Sequence, residues 1–343
     1  MINKIDFYNN LNILRNLIFS LVIFIIFFLR IRYSQDWDAY ELMFDQYVNT
    51  DIFSLWIAQL CRTLGFGFVS FYQIHLSLAF LLYYVLISRF NRNVFIIYLC
   101  LLLINYVQFA NQLRYFISFP LFVYASYLLF CKNNKKAYIL LLISPIIHIG
   151  ILSLYIFLPA YKIFQKFNTF KLVTYVLSGS VVFFLLLKYV MIYIPEKFWG
   201  YLEDDNISTL AGGVYNLIFP IVCIIIVIFS TYRWHSFFTE KQDKVYHFLR
   251  LMSYSPILFI IISIDVQVIA HRYIYPFLVV WILFVLYPLR YLSLHQKKLE
   301  IVKLICFMSV LLLLRYGLPI LLFGSSVEIE SAKEIFSSFA PLF

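Results

Sequence analysis

A chain of 343 residues that is 63% apolar, 21% aromatic and only 13% charged has too few polar side chains to cover itself as a soluble globule. The composition predicts an all-α, polytopic transmembrane helical bundle, read as a single integral membrane domain over 1-343. The formal net charge of +10 is spread over many short turns and forms no single basic patch, so it reads as membrane orientation and argues for no nucleic acid partner.

The apolar run from Leu17 to Leu29 follows a short basic lead, and no small-residue cleavage site comes after it. It predicts an uncleaved signal anchor that forms the first spanning helix, 14–31. In SQDWDAYELMFDQY, Trp37, Tyr40, Phe44 and Tyr47 fall at helical spacing on one face, with Asp38, Glu41 and Asp45 on another. DIFSLWIAQLCRTL repeats the pattern with Phe53, Trp56, Ile57, Leu60 and Leu64, and Asp51 stands where an N-cap belongs. Residues 33-65 therefore predict two amphipathic helices on the outer membrane surface, roofing a site. Asp36 either caps the first of them or acts on a substrate directly. Asp38, Glu41 and Asp45 read as a solvated face, with Asp38 also kept as a substrate-binding candidate.

Eight further spans are expected at 66–88, 93–109, 113–131, 172–194, 213–232, 246–264, 272–289 and 300–323. The stretch from Ala137 to Ala160 is different. Lys132 to Lys136 and Lys162 to Lys171 flank it on what should be one side, yet its 24 residues reach only about 36 Å as one helix. Two spans cannot fit, so 137-160 predicts a re-entrant hairpin. Its half-helices would meet around Ser144, Pro145 and Gly150, with His148 near the tip. A single span is the alternative. The cysteines at 61, 100, 131, 223 and 306 are widely scattered and read as small core residues rather than disulfides or metal ligands.

An N-terminus in the cytoplasm gathers Lys132, Lys135, Lys136, Lys162, Lys166, Lys171, Lys241 and Lys244 inside. The opposite face then collects Asp36, Asp38, Glu41, Asp45, Asp51, Glu203, Asp204 and Asp205, as the positive-inside rule requires. Against this map Arg114 and His148 stand out, because a cation deep in a spanning helix costs roughly 2.5 to 3.5 kcal/mol and normally serves a polar cavity. In NYVQFANQLRYF, Arg114 opens a helix from the outer end beside Asn111 and Gln112, which suit sugar hydroxyls, and no acidic residue is near it in sequence. In IDVQVIAHRYIYPF, Arg272 sits with His271 and Tyr275 at another outer turn, with an ion pair to Asp265 that closes the turn as the alternative to a ligand-binding role. Two arginines suit a pyrophosphate, since guanidinium forks match phosphate oxygens and stay charged.

Taken in order, these features resemble the EpsG family, a branch of the Wzy-like enzymes that polymerise O-antigen, capsule or exopolysaccharide repeat units. Arg30 and Arg32 end the first helix and are followed by Asp36 and Tyr40, then by Asp51 opening a surface helix. Arg114 in QLRYF, His148 in IIHIGIL and Arg272 in HRYIYPF complete the set. Three positions depart from the pattern: Gln35 precedes Asp36 where glycine is usual, and Tyr115 and Phe116 follow Arg114 where small residues are usual.

The resemblance implies a glycosyl transfer that needs no metal or other cofactor, on the outer face of the bacterial inner membrane. The donor and the acceptor would be undecaprenyl-pyrophosphate-linked oligosaccharides, with membrane lipids and a chain-length regulator protein as further partners. The expected catalytic residues are Arg114 and Arg272 on the pyrophosphate, His148 on the pyrophosphate or a proton, and Asp36 on the acceptor hydroxyl. Tyr40, Asp38, Asn111, Gln112, His271 and Tyr275 are the expected substrate-binding residues. Two other readings remain. One is a membrane glycosyltransferase using another lipid carrier, because Asp36-Trp37-Asp38 resembles its acidic motif. The other is a lipid-linked oligosaccharide flippase, although the chain shows no internal duplication.

Overall fold

The computed structural model describes residues 4–47, 51–91, 94–164, 166–190, 210–265, 272–324 and 326–341, and every regular element among them is helical. Five helices are long and apolar enough to cross a membrane, within Phe68–Phe90, Leu113–Lys132, Thr169–Leu186, Leu217–Glu240 and His295–Phe323. Four shorter apolar stretches accompany them, Ile13–Phe27, Lys136–Ile147, Ile149–Phe164 and Tyr275–Tyr291. The protein is thus an all-α, multi-pass membrane protein. Two expected spans are interrupted. The region 246–264 breaks into Lys244–Tyr254, a 3-10 turn Ser255–Phe259 and a short helix Ile262–Asp265. The region 272–289 becomes Leu278–Leu286 between the 3-10 turns Tyr275–Phe277 and Tyr287–Tyr291. Each 3-10 turn carries a proline near its start, Pro256, Pro276 or Pro288, and a proline lacks the N–H that would continue the helix.

The helices cluster into two compact units, Met1–Leu154 with Arg315–Phe343, and Tyr155–Leu314. The first contains α1 (Lys4–Phe27), α2 (Trp37–Gln46), α3 (Ile52–Thr63), α4 (Phe68–Phe90), α5 (Val94–Asn111), α6 (Leu113–Lys132) and α7 (Lys136–Ile147). α6 is largely buried and packs on both α4 and α7. α5 loses helical geometry at Asn105 (φ −112°, ψ 17°). α2 buries Tyr40, Met43 and Phe44, with the Phe44 ring 5.4 Å from Phe71 of α4. α3 packs through the small residues Ser54, Ala58 and Cys61, which permit close approach. Its large apolar residues Trp56, Leu60 and Leu64 are exposed, as they would be on a helix resting against lipid. Ser54 Oγ lies 3.2 Å from His75 Nε2 of α4, which gives the buried imidazole a polar neighbour on each side, with Phe71 O 2.9 Å from its Nδ1.

One helix of this unit has no counterpart in the sequence reading. Val327–Ser337, begun by a Ser326 side chain that accepts from the Ile329 N–H, lies against the end of α1. Phe336 stacks on Tyr106 at 5.1 Å and meets Phe27 at 6.3 Å. Arg30 Nε donates to Ala340 O at 2.7 Å, its guanidinium lies 5.0 Å from the Phe339 ring, and the Arg32 N–H donates to Ser338 Oγ at 3.3 Å. Arg30 therefore tethers the C-terminal segment through its side chain and Arg32 through its backbone N–H, while the Arg32 guanidinium donates to Leu29 O and Ile31 O.

The second unit contains α8 (Phe157–Phe164), α9 (Thr169–Val190), α10 (Leu210–Glu240), α11 (Lys244–Tyr254) and the helices Leu278–Leu286 and Leu294–Leu312. Leu278–Leu286 is its axis, with Trp281 fully buried and its indole N–H donating to Ser253 O at 2.8 Å. Asp243 starts α11 by accepting from the Val245 and Tyr246 N–H groups, and the Tyr287 and Tyr291 hydroxyls donate to the same carboxylate.

Phe336→Ala removes the aromatic anchor of Val327–Ser337, a loss of about 1 to 2 kcal/mol for a half-exposed ring. Amide hydrogen exchange in that helix is expected to quicken while α4 and α6 keep their protection. Unchanged exchange over Val327–Ser337 would show that the ring does not anchor it.

Candidate functional site

α5 ends at Asn111 and α6 starts at Leu113, so the chain breaks its helix at Gln112 and opens a new one. The first N–H groups of the new helix have no partner inside it. Arg114 lies in that first turn, where a cation faces the positive end of the helix dipole and is disfavoured unless an anion neutralises it. The anion is Asp51. Arg114 Nη1 donates to Asp51 Oδ2 at 2.6 Å.

α7 brings the third member. Pro145 has no N–H to give Leu141 O, and the Ser144 hydroxyl donates to that carbonyl instead at 3.2 Å. The helix ends two residues later. His148 leaves it in extended geometry (φ −154°, ψ 113°), so its side chain is not carried on the helical face. His148 Nδ1 lies 3.3 Å from Asp51 Oδ2, the same oxygen that receives Arg114. Ser118 of α6 fixes the approach by donating to Ser144 O at 2.8 Å.

Asp51 precedes α3 in extended conformation, yet its side chain makes no cap bond. The expectation of an N-cap is corrected by the Arg114 guanidinium and the His148 imidazole, since a charge-assisted bond from the guanidinium is a stronger partner for the carboxylate than a backbone N–H. Arg114, with no acidic residue near it in sequence, thus finds its carboxylate 63 residues away. Side-chain exposure is 21% for Arg114, 14% for Asp51 and 13% for His148, so the cluster is mostly but not wholly withdrawn from solvent. Burial by itself would raise the Asp51 pKa. The hydrogen bond from His148 and the charge of Arg114 outweigh it and hold the carboxyl below its ordinary value.

Aromatic side chains wall the cluster. Tyr40 of α2 has its ring 6.0 Å from the Arg114 guanidinium, and Tyr115 meets the His148 ring edge-on at 5.6 Å. Burial pushes the Tyr40 phenol up, with Arg114 opposing, so the group is neutral at working pH. Trp37 packs on Tyr72 at 4.7 Å, and the Tyr72 hydroxyl donates to Ala110 O at 2.6 Å, which ties α4 to the end of α5.

The other expected residues fall out as follows. Asp36 is half-buried and makes no side-chain cap bond to α2, so its capping alternative is not realised. Asp38 is exposed in the first turn of α2. Asn111 pairs with Gln35, accepting from its N–H at 3.1 Å and donating to its Oε1 at 3.0 Å, while Gln35 Nε2 reaches Ser331 Oγ at 2.5 Å. Gln112 Oε1 is buried with no hydrogen-bond partner among the described residues, an open acceptor two positions from Arg114. Arg272 is half-buried in the second unit, where Tyr275 is buried against Phe219 at 5.0 Å. His271 lies outside the described residues. The first unit thus unites Arg114, His148 and Tyr40 around Asp51. Among the described residues, no three His, Cys, Asp or Glu side chains gather as a metal site would need.

A sequence model of the EpsG family matches residues 15–320. No curated protein and no solved structure matches the chain. The matched region ends before the helix that carries Ser331.

The depressed pKa of Asp51 fixes a pH dependence. A carboxyl held lower in the folded than in the unfolded protein contributes stability above its unfolded pKa and loses it as pH falls through the folded value. Thermal stability of the wild type is expected to fall as pH drops below the ordinary carboxylate range, and Asp51→Asn is expected to flatten that acid limb. Identical acid limbs in the two proteins would show that Asp51 carries no such linkage.

Proposed function

Because the chain belongs to the EpsG family, we propose that it is a membrane glycosyltransferase of the polysaccharide-polymerase type. It would join lipid-linked repeat units into O-antigen, capsule or exopolysaccharide chains. The donor is a glycan on undecaprenyl pyrophosphate and the acceptor is a lipid-linked repeat unit. The reaction takes place on the outward side of the bacterial inner membrane, with the N-terminus in the cytoplasm. The observation that carries this reading is the convergence of a guanidinium and an imidazole on one partly buried carboxylate at the start of a helix.

Each group has a task that its surroundings support. The acceptor hydroxyl attacks the anomeric carbon of the donor. A C–O bond forms there, the bond to the pyrophosphate oxygen breaks, and the lipid pyrophosphate leaves with the electron pair. Negative charge grows on that leaving group, so a cation placed before the reaction stabilises the transition state more than the ground state. Arg114 is that cation. Its guanidinium carries five donors, and the N-terminus of α6 adds an electropositive end, so pairing with Asp51 is compatible with phosphate contacts. With Nδ1 donating to Asp51, His148 is held in the tautomer whose Nε2 accepts the proton of the acceptor hydroxyl. Asp51 is therefore the positioning residue for both, and His148 takes the role of base that the sequence had suggested for Asp36.

The test uses the full chain in lipid vesicles supplied with one synthetic repeat unit on undecaprenyl pyrophosphate. The wild type is expected to give a ladder of longer glycans. Movement of unlengthened glycan across the vesicle would instead make the protein a flippase. Arg114→Ala should cut polymerisation by on the order of 10²–10³-fold while single repeats accumulate. Arg114→Lys should also be impaired, because a point charge does not reproduce a fork. His148→Ala should lose on the order of 10²–10⁴-fold, and Arg272→Ala is expected to accumulate single repeats. Normal ladders from Arg114→Ala and His148→Ala would remove both residues from the chemistry.

A further inference from the structure

The second unit holds a buried cation that the proposed reaction does not use. Arg250 on α11 is 1% exposed. Its Nη2 donates to Phe167 O at 2.8 Å, while its Nε is buried without a hydrogen-bond partner among the described residues. No carboxylate forms an ion pair with it there. The nearest acidic group on its helix, Asp243, is already bonded by the Val245 and Tyr246 N–H groups and by the hydroxyls of Tyr287 and Tyr291. A buried guanidinium normally pairs with an anion, because its charge is costly to strip of water alone.

The neighbours of Arg250 are donors rather than bases of opposite charge. Tyr246, His247 and Tyr254 lie four before, three before and four after it, so they share its face of α11. Across the seam α10 presents Thr231, whose Oγ1 is 3.0 Å from the Tyr254 hydroxyl, and His235, whose ring lies 6.0 Å from His247 and 6.3 Å from Tyr246. His247 Nδ1 is buried with no hydrogen-bond partner among the described residues. His235 and His247 are themselves half-buried, so this seam reaches the surface. The Thr231 hydroxyl is spent on Val227 O at 2.7 Å, whereas the guanidinium, the two imidazoles and the Tyr246 hydroxyl, buried without a hydrogen-bond partner among the described residues, form a donor set for an oxyanion with several acceptor oxygens, with no carboxylate paired to the cation.

We infer that the seam between α10 and α11 binds a phosphate group, with Arg250 as its charge partner and His247 at its mouth. The phosphate is free or belongs to a phospholipid headgroup, and both present the same oxygens to these donors. The site is independent of Asp51, Arg114 and His148.

The test is a thermal-stability titration of the full-length protein. Inorganic phosphate is added to protein in neutral detergent, and protein in phosphatidylglycerol nanodiscs is compared with protein in phosphatidylcholine nanodiscs. Chloride at matched ionic strength is the control. The expected result is saturable stabilisation by at least one probe, absent with chloride. Response to inorganic phosphate identifies a free anion; response only to phosphatidylglycerol identifies a headgroup. Arg250→Gln should weaken binding about tenfold or more, as should His247→Ala, which leaves the buried guanidinium in place. Arg114→Gln should respond like the wild type, which separates this site from any pyrophosphate bound at the proposed reaction centre. A wild type that neither probe stabilises, or Arg250→Gln and His247→Ala that both respond undiminished, would overturn the inference.

Discussion

The site depends on one carboxylate oxygen shared by a guanidinium and an imidazole. Arg114 and His148 both reach Asp51 Oδ2, and each arrives there because a helix is interrupted. The break at Gln112 puts Arg114 in the first turn of a new helix. The break after Pro145 takes His148 off the end of α7. In a membrane an irregular backbone is tolerated only where other groups satisfy it or where it lines a polar space. Here the Ser144 and Ser118 hydroxyls take up the carbonyls at the second break, and Asp51 answers the charge at the first.

The same economy explains the frame around the site. Helices approach closely where side chains are small, as at Ser54, Ala58 and Cys61 of α3, and large rings fill what remains. The wall of Trp37, Tyr40, Tyr72 and Tyr115 holds the polar cluster in a fixed arrangement. A rigid aromatic wall suits a reaction that depends on charges already in place, since fixed dipoles and cations need no reorganisation as charge develops. Gln35 adds a link between Asn111 and Ser331, the latter on a helix beyond the region that matches the family.

Much of this was legible in the chain. An apolar composition with short basic turns identifies the membrane class, and α4, α5, α6 and α9 follow the hydrophobic runs to within a few residues. Arg114 and His148 were conspicuous because ionisable residues are scarce in such runs. Their meeting point was not. Asp51 lies 63 residues from Arg114 and 97 from His148, and its place before a helix fits a cap as well as an ion pair. Nothing local distinguishes the two roles, so only the fold could choose. Asn111 looked like a sugar ligand because an amide in an apolar setting needs a partner, and its partner proved to be Gln35. Val327–Ser337 was missed because it is short, polar on one side, and follows the last long apolar run.

A double-mutant cycle on Asp51 and Arg114, read as the rate of glycan lengthening on a defined lipid-linked repeat, tests the shared-carboxylate account most directly. If Asp51 acts through the groups it holds, Asp51→Asn in an Arg114→Gln background should cost far less than it does alone, a coupling well outside additivity. Effects that simply multiply would mean that the two residues act independently, and the account of one joint centre would fail.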